Sequence, residues 1–351
     1  MKNLFILFTV INITFFSYSQ QVKYEKKLHN DFGSTVNTIL QINNHNGNII
    51  FNNWEKKEIS VDVIITLWTK YDDNAQKYLD AADVILQQDS EKIAYKTVIN
   101  YENLDKFFKK LEGKFQIDYI IYHPVYLNVD LKNSYGNITF NELSGKANIN
   151  LNYGHLTAVN LAFNDSKPVS KIKLNYAKAK IGKCTWSEWK IDYSTLSIKT
   201  NTASVIKSHY SHVLINNSYG IFAASMYDDY KINNCKKLTL DAKYSDINID
   251  TLQTDANINL NYGDFGIQRV ESDFKNIQIV SNYTDVKAII PDDACYQLDA
   301  TVSYCEIKYS PKSNVNRHVS NSETKINGTI GCKQVRAKVY IESNYGDVKL
   351  F

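Results

Sequence analysis

Arginine is the scarcest charged residue in this sequence. The 351 residues include 40 basic side chains, but only Arg269, Arg317 and Arg336 are arginines. The 37 acidic residues bring the formal net charge down to +3. Phosphates and base edges are recognised by clustered arginine and lysine side chains. The composition therefore argues against nucleic acid as a partner.

Proline and glycine are also rare. Four prolines and 13 glycines exclude collagen-like and proline-rich chains. The 25 tyrosines and a hydrophobic share of 44% instead favour a folded protein of strands joined by polar turns. The length allows either about two domains or one elongated array of repeats.

Only one stretch resembles a targeting segment. Lys2 supplies a basic start, Leu4 to Phe16 is an apolar run, and Ser17 and Ser19 are small residues at the spacing that a signal peptidase reads. The run is shorter than the roughly 20 residues that span a bilayer. We predict a signal peptide at residues 1–19, no lipid anchor and no transmembrane span. The protein is then exported to the periplasm, the outer-membrane surface or the medium.

The five cysteines do not form a metal-binding pattern. Their number is odd, and no CxxC or Cys/His zinc spacing is present. We expect most of them to be buried small side chains. The pairing of Cys295 with Cys305 or with Cys332 is the one disulfide to consider.

The sequence is organised by an internal repeat of tyrosine. Intervals of 17 to 23 residues separate consecutive members, except for a final interval of 41 that predicts two periods with one tyrosine missing. A fixed period of about 20 residues is typical of solenoids and repeat arrays. The repeated residues are Tyr135, Tyr153, Tyr176, Tyr193, Tyr210, Tyr227, Tyr244, Tyr262, Tyr283, Tyr304 and Tyr345.

Each repeat contains two alternating strands with a corner after the tyrosine. The third and fifth residues after each Tyr are apolar, as is the fourth residue before it, but the second residue after it is polar. A two-residue hairpin with Gly first, or a bend in a parallel solenoid, fits this pattern. The near-constant register favours parallel coils stacked about 4.8 Å apart. An antiparallel β-sandwich or barrel is the alternative.

The repeated tyrosines share the parity of the apolar residue four positions earlier. We therefore expect a structural column of tyrosines packed in a narrow core, with a surface platform for a ligand as the alternative. The polar corner is acidic in the later repeats, where a solvated edge is expected and a cation site is a weaker hypothesis. The candidate metal ligands are Asp229, Asp246, Asp264, Asp285 and Glu306.

The sequence carries no recognisable catalytic motif. GxSxG, HExxH, GxxxxGK and GxGxxG are all missing, so no catalytic or cofactor-binding residues are predicted. We predict a non-enzymatic protein without a cofactor. A carbohydrate-active enzyme or a carbohydrate-binding module on a β-helix scaffold is the alternative.

The region before the array has a different pattern. We divide the mature chain into an N-terminal region of strands and helices at residues 20–128 and a repeat array at residues 129–351. Helices are predicted at Ala75–Gln88 and Asn103–Glu112, where they would cover an open end of the solenoid. The polar segment Ser310–Lys325 is predicted to be a loop.

Three repeats carry a resemblance to a known family. The units Asn133-Ser-Tyr-Gly-Asn-Ile-Thr-Phe140, Leu260-Asn-Tyr-Gly-Asp-Phe-Gly-Ile267 and Ser343-Asn-Tyr-Gly-Asp-Val-Lys-Leu350 resemble the bacterial toast-rack (putative-adhesin) β-strand-repeat family of unknown function. The resemblance implies a single-stranded β-solenoid at the cell envelope. It also implies an adhesin or an interaction scaffold whose partner is a protein or a glycan, and it supplies no catalytic residues.

Overall fold

The structure is a computed structural model that describes residues 22–70, 73, 75–100, 102, 104, 113–161, 170–331 and 334–351. Its strands belong to a single sheet of 24 strands. The elements in chain order are β1 (Val22–Gly33), β2 (Ile39–His45), β3 (Ile49–Asn53), β4 (Glu58–Thr69), α1 (Ala75–Leu79), β5 (Ala82–Gln88), β6 (Lys92–Ile99), β7 (Lys114–His123), β8 (Asn128–Ser134), β9 (Ile138–Glu142), β10 (Ala147–Asn152), β11 (His155–Leu161), β12 (Ser170–Asn175), β13 (Lys178–Asp192), β14 (Thr195–His209), β15 (His212–Met226), β16 (Asp229–Lys243), β17 (Asp246–Val270), β18 (Asn276–Ala288), β19 (Tyr296–Ser303), β20 (Ile307–Lys308), β21 (Ser313–Ser320), β22 (Glu323–Ile330), β23 (Ala337–Asn344) and β24 (Val348–Lys349).

In the middle of the array, one coil is one 15-residue strand followed by a two-residue corner. β13 to β16 pair in parallel, so that Leu196 lies between Ala179 and Val213 of the neighbouring coils. Along β14 the alternation of buried residues changes phase twice, at Lys199–Thr200 and at Ala203–Ser204, so the strand bends between these positions. This bend places the two halves of each strand on opposite sides of a narrow core.

The array is a parallel β-solenoid, as the register of the repeats predicted. The antiparallel sandwich or barrel is wrong for these repeats, because β8 to β18 pair in parallel from coil to coil. The corner is not a glycine-first hairpin either. Each tyrosine of the repeat has a positive φ, with values of 49° to 60°, whereas the residue after the tyrosine usually does not.

The first coil of the solenoid is inserted between two later ones. β2 and β3 form this coil, with Asn46 at its corner in the left-handed region at φ 61°. β2 pairs with β6 on one side and β8 on the other, and β3 pairs likewise with β7 and β9. Outside this coil, β4 pairs antiparallel with β1 and β7, and β5 pairs antiparallel with β6. Antiparallel strands therefore cover the sheet edges at this end.

The predicted helix at Ala75–Gln88 is wrong for most of its length. α1 ends at Leu79, and Ala82–Gln88 is strand β5. The apolar residues do recur at helical spacing, but the segment pairs along its whole length with β6, from Ala82 opposite Ile99 to Gln88 opposite Ile93. Cross-strand pairing has overridden local propensity here. Most of the second predicted helix, Asn103–Glu112, lies outside the described residues.

The last coil is also inserted between two earlier ones. β23 pairs in parallel with both β18 and β19, and β24 lies between β18 and β20. The chain therefore leaves the position between β18 and β19 open, forms the β21–β22 hairpin, and then returns to fill that position with β23. The long interval before Tyr345 does not mark a missing tyrosine. The predicted loop Ser310–Lys325 mostly belongs to the β21–β22 hairpin, whose second strand β22 pairs antiparallel with β19.

The cysteines follow the sequence prediction in part. Cys184 and Cys235 are buried free thiols, and burial raises the pKa of Cys184 to about 11. Cys295 is disulfide-bonded, whereas Cys305 is a free, partly buried thiol. The proposed pairing of Cys295 with Cys305 is therefore wrong, and Cys332 lies outside the described residues.

Candidate functional site: the tyrosine edge and the adjoining sheet faces

The eleven repeated tyrosines form one stack along an edge of the solenoid. Neighbouring ring centroids are 4.7 to 5.2 Å apart, and their planes differ by only 1° to 9°. In spatial order Tyr345 lies between Tyr283 and Tyr304. We call this stack the tyrosine ladder. His45 packs edge-on against Tyr135 at the end of the ladder, at a centroid distance of 5.2 Å and an interplanar angle of 64°.

The expected place of these tyrosines in the core is wrong. Their side chains are 40% to 63% exposed. Except for the partly buried Tyr309, the apolar residues three and five positions later are buried, as Ile247 and Ile249 are after Tyr244. Strand alternation predicts side-chain direction only while the backbone remains extended. A left-handed residue breaks that alternation, so the ring leaves the core at the tyrosine itself.

Tyrosine is a costly residue at this corner. The left-handed conformation costs about 1–2 kcal/mol for a residue with a Cβ, and less for Asn, which occupies the equivalent corner in the first coil as Asn46. An offset-stacked aromatic pair contributes about 0.5–1.5 kcal/mol in return. Stacking therefore explains why a long run of tyrosines is tolerated, and it leaves a regular aromatic edge exposed to solvent.

The ladder presents ring edges and hydroxyl groups rather than open ring faces. A sugar ring inserted between two tyrosines needs a carbon contact of about 3.5–4.0 Å on each of its sides, or roughly 7 Å between the tyrosines. The observed spacing near 4.9 Å is too small. The ladder is thus on the surface, as a ligand platform requires, but stacking a sugar between its rings is excluded.

Side chains just after the tyrosines satisfy backbone groups at the corner. Ser194 N–H donates to Ser211 Oγ of the next coil at 3.1 Å, and Asp228 N–H donates to Ser245 Oγ at 3.1 Å. Asp228 is buried and accepts bonds from Ser208 Oγ (2.6 Å), Ser225 Oγ (2.8 Å), Ser211 N–H (2.7 Å) and Met226 N–H (2.9 Å). This carboxylate replaces the serine of other coils and connects the coils of Tyr210 and Tyr227.

The acidic corner residues form an exposed column beside the ladder. Several of them accept a backbone hydrogen bond from the neighbouring coil: Asp264 N–H donates to Asp246 Oδ1 at 3.1 Å, and Asp347 N–H donates to Asp285 Oδ1 at 2.9 Å. Within the part of the chain that the structure describes, no group of three or more His, Cys, Asp or Glu side chains is placed to hold a metal ion. Metal binding at Asp229, Asp246, Asp264, Asp285 or Glu306 stays an untested hypothesis.

Charge changes sign along the two columns that flank the ladder. On one side, the column two residues after each tyrosine contains Asn137, His155, Lys178, Thr195 and His212, followed only by acids. On the other side, the column three residues before each tyrosine contains Lys132, Asn150, Lys173, Lys190 and Lys207, followed by Ala224, Asp241, Asn259, Val280, Glu342 and Thr301.

Both columns switch between the coils of Tyr210 and Tyr227. We call the coils of Tyr135 to Tyr210 the basic half of the ladder edge, and the coils from Tyr227 onward the acidic half. Columns farther from the ladder mix both signs, as Lys287 and Lys349 do in the acidic half. The polarity is therefore a property of the two columns that flank the ladder.

A shallow depression lies on the outer face of the sheet beside the ladder. Two adjoining hollows of about 420 and 350 Å³ share Lys207, Ala224 and Asp241. Val205 and Phe222 line the second hollow and are 42% and 50% exposed. The small side chain of Ala224 between larger neighbours creates the depression, which combines an apolar wall with lysines.

Comparison with known proteins agrees with the repeat architecture. Residues 228–351, about a third of the chain, match the family described as Toastrack DUF4097. This C-terminal region is a toast-rack region. The resemblance inferred from the tyrosine repeats is thereby confirmed. No curated protein matches the chain.

Three solved structures align with the chain over 93% of its length. They are a "putative cell adhesion protein" from Clostridium sporogenes (10% identity, 99% of that chain, TM-score 0.20), a "putative adhesin" from Bacteroides fragilis (11%, 97%, 0.26) and a "putative lipid binding protein" from Parabacteroides distasonis (9%, 96%, 0.27). TM-scores this low carry no argument about fold or function.

Proposed function

We propose that this toast-rack protein is exported, is not an enzyme, and acts at the cell envelope as an adhesin-like scaffold that binds a partner through an outer sheet face. The depression around Ala224 carries the proposal. It places exposed Phe222 and Val205 beside Lys190 and Lys207 on a flat, rigid sheet. Apolar side chains next to charged groups are typical of protein and glycan recognition surfaces.

Two further observations support export. Residues 1–19 have the pattern of a signal peptide, although they lie outside the described residues. Cys295 is disulfide-bonded, and such bonds persist mainly in oxidising compartments. Across the ranges that the structure covers, no helix is long and apolar enough to cross a membrane.

The test uses two matched arginine substitutions on opposite faces. Ala224→Arg fills the depression, and Asn248→Arg adds the same side chain to an exposed site on the other outer face. We expect Ala224→Arg alone to reduce binding to whole cells or envelope fragments by about tenfold. Equal binding by both variants and the parent would contradict the proposed surface.

Export and the lack of catalysis are tested separately. Fractionation should place the protein in the periplasm, the outer membrane or the medium, and recovery in the cytoplasm would contradict export. Incubation with acidic and neutral polysaccharides should release no product. Product release abolished by a single acid-to-amide change would identify an enzyme instead.

A further inference from the structure

We propose that the tyrosine ladder is the interface of an antiparallel dimer of this chain, in which the ladders of two copies meet edge to edge. The ladder is exposed along its whole length, and its rings differ in orientation by at most 9° from one coil to the next. Such a straight edge can contact a second straight edge over its full length. The column with Lys207, Ala224 and Asp241 both flanks the ladder and lines the depression, so the dimer would cover part of the surface in the proposed function. The two proposals are tested separately, because the tyrosine substitutions below lie outside the lining of the depression.

The spacing of the rings favours a second copy as the partner. Ten intervals near 4.9 Å repeat along the edge, and they total about 50 Å at the usual strand spacing. A partner with a different period would lose register progressively over this length. Another ladder of the same protein has the same period, so the ring edges and hydroxyl groups of two ladders can meet in one register throughout.

The charge pattern selects the orientation of the two copies. Two edges can face each other with the solenoid axes parallel or antiparallel. In a parallel pair, the column after the tyrosines faces the column before the tyrosines of the other copy. Lys178 then lies near the lysine column, and the acids lie near Asp241 and Glu342, so like charges meet in both halves.

In an antiparallel pair, each column faces its own counterpart running in the opposite direction. The basic half then meets the acidic half on both sides of the ladder. The midpoint of the ladder is its sixth ring, Tyr227, and the charge changes sign between Tyr210 and Tyr227. Full overlap of the ladders therefore places Lys207 opposite Asp241 of the second copy and Lys178 opposite its Asp285.

The size of the edge suits a stable dimer. A strip about 50 Å long and about 15 Å wide offers roughly 750 Å² per copy, close to the roughly 800 Å² that each partner buries in a standard interface. Tyrosine is also enriched at protein interfaces, because it buries area at a low entropic cost. The column between the lysines and the ladder is mostly uncharged, with Asp192 and Lys243 as its charged members.

The first experiment measures the mass of the purified protein in solution by light scattering and sedimentation. We expect a dimer at low salt that dissociates more readily as the salt concentration rises. Tyr210→Asn combined with Tyr244→Asn should weaken dimerisation at least tenfold while the fold is retained, since Asn46 shows that Asn is accepted at this corner. A wild-type monomer at all concentrations and salts would overturn the proposal.

The second experiment reverses two paired charges in one half at a time. Lys178→Glu with Lys207→Glu places acids opposite Asp285 and Asp241 of the second copy, and Asp241→Lys with Asp285→Lys places lysines opposite its Lys207 and Lys178. We expect each double variant to be monomeric alone and the two to form a heterodimer when mixed. Lys183→Glu with Lys199→Glu, at exposed sites near the opposite corner, is the control and should remain a dimer.

Rescue by mixing separates the proposal from loss of folding. Two unfolded variants would not form a defined heterodimer, whereas two charge-complementary variants would. A dimer that persists in both double variants would overturn the antiparallel ladder interface. A monomer that instead binds a soluble polysaccharide, and loses that binding with the Tyr→Asn changes, would make the ladder a glycan site and also overturn the proposal.

Discussion

The ring of Tyr345 stacks on that of Tyr283 at 4.9 Å, although it comes three strands after the coil of Tyr304. The stack continues with Tyr304 at 4.7 Å from Tyr345. The C-terminal strand β23 is therefore an interior strand of the sheet, paired on both sides. β23 and β24 therefore connect the coil of Tyr283 with the coil of Tyr304.

The inserted C-terminal strand should be essential for stability. Ile341 is fully buried on β23, so Ile341→Ala should lower the free energy of unfolding by about 2–5 kcal/mol through loss of contacts and a cavity. Lys338→Ala on the same strand replaces an exposed side chain and should change the free energy of unfolding by less than about 0.5 kcal/mol. Denaturant titration of both variants measures the difference. Equal effects would contradict an interior position for β23.

The repeat architecture was predictable, because each coil of a solenoid repeats the same residue pattern at nearly the same spacing in the sequence. Ile232 and Ile249, each five residues after a tyrosine, are buried in the columns that the pattern indicated. The order of the coils at the ends was not predictable. Parallel pairing of Ile341 with Ile279 and Ala300 depends on a chain reversal that leaves no local signal.

The placement of the tyrosines shows a second limit. Tyr244 and Leu240 share strand parity, so alternation placed both in the core, yet only Leu240 is buried. The left-handed backbone at Tyr244 reverses the side-chain direction, and no rule of composition predicts a positive φ at an aromatic residue. The presence of Asn46 at the same corner was the available signal, because Asn tolerates this conformation.

Replacing a ladder tyrosine should cost less than replacing a core residue. Tyr244→Ala should lower the free energy of unfolding by about 1–2 kcal/mol, because it removes stacking on both sides of the ring but leaves no cavity. Tyr244→Asn should cost less than Tyr244→Ala, since Asn relieves the left-handed strain. Thermal unfolding of the two variants checks the order, and a loss of about 4 kcal/mol for Ala would point to core packing instead.

The buried carboxylate of Asp228 should be among the most sensitive polar groups. Asp228→Ala leaves Ser208, Ser225 and two backbone N–H groups without their acceptor, so we expect a loss of at least about 3 kcal/mol. Asp228→Ser should cost less, because serine oxygens accept the same corner N–H in other coils. The exposed neighbour is the control, and Asp229→Ala should be close to neutral in denaturant titration.

Calcium should not stabilise the protein. The oxygens of Asp246 and Asp285 already accept backbone hydrogen bonds, which reduces their availability as ligands. A bound ion at a hundredfold excess over its Kd would add about 2.7 kcal/mol, which thermal melting detects readily. We expect the same melting temperature in chelator and in millimolar calcium. A rise of several degrees that disappears in Asp246→Asn with Asp264→Asn would establish a metal site.

Stability should fall as the pH drops from about 6.5 to about 4, in part because of His123. This side chain is fully buried beside Phe51, its Nδ1 lies 2.9 Å from the Pro124 carbonyl oxygen, and burial lowers its pKa to about 4. In this pH range the unfolded chain binds a proton at His123 and the folded protein does not, so protonation favours unfolding. The difference between the two pKa values corresponds to about 3 kcal/mol once the pH is below both.

His123→Gln should be less stable than the parent at pH 7 but should lose less stability on acidification. Parallel urea titrations of parent and variant from pH 7 to pH 4 measure this, and an identical pH dependence would show that His123 takes up its proton equally readily in the folded and unfolded states.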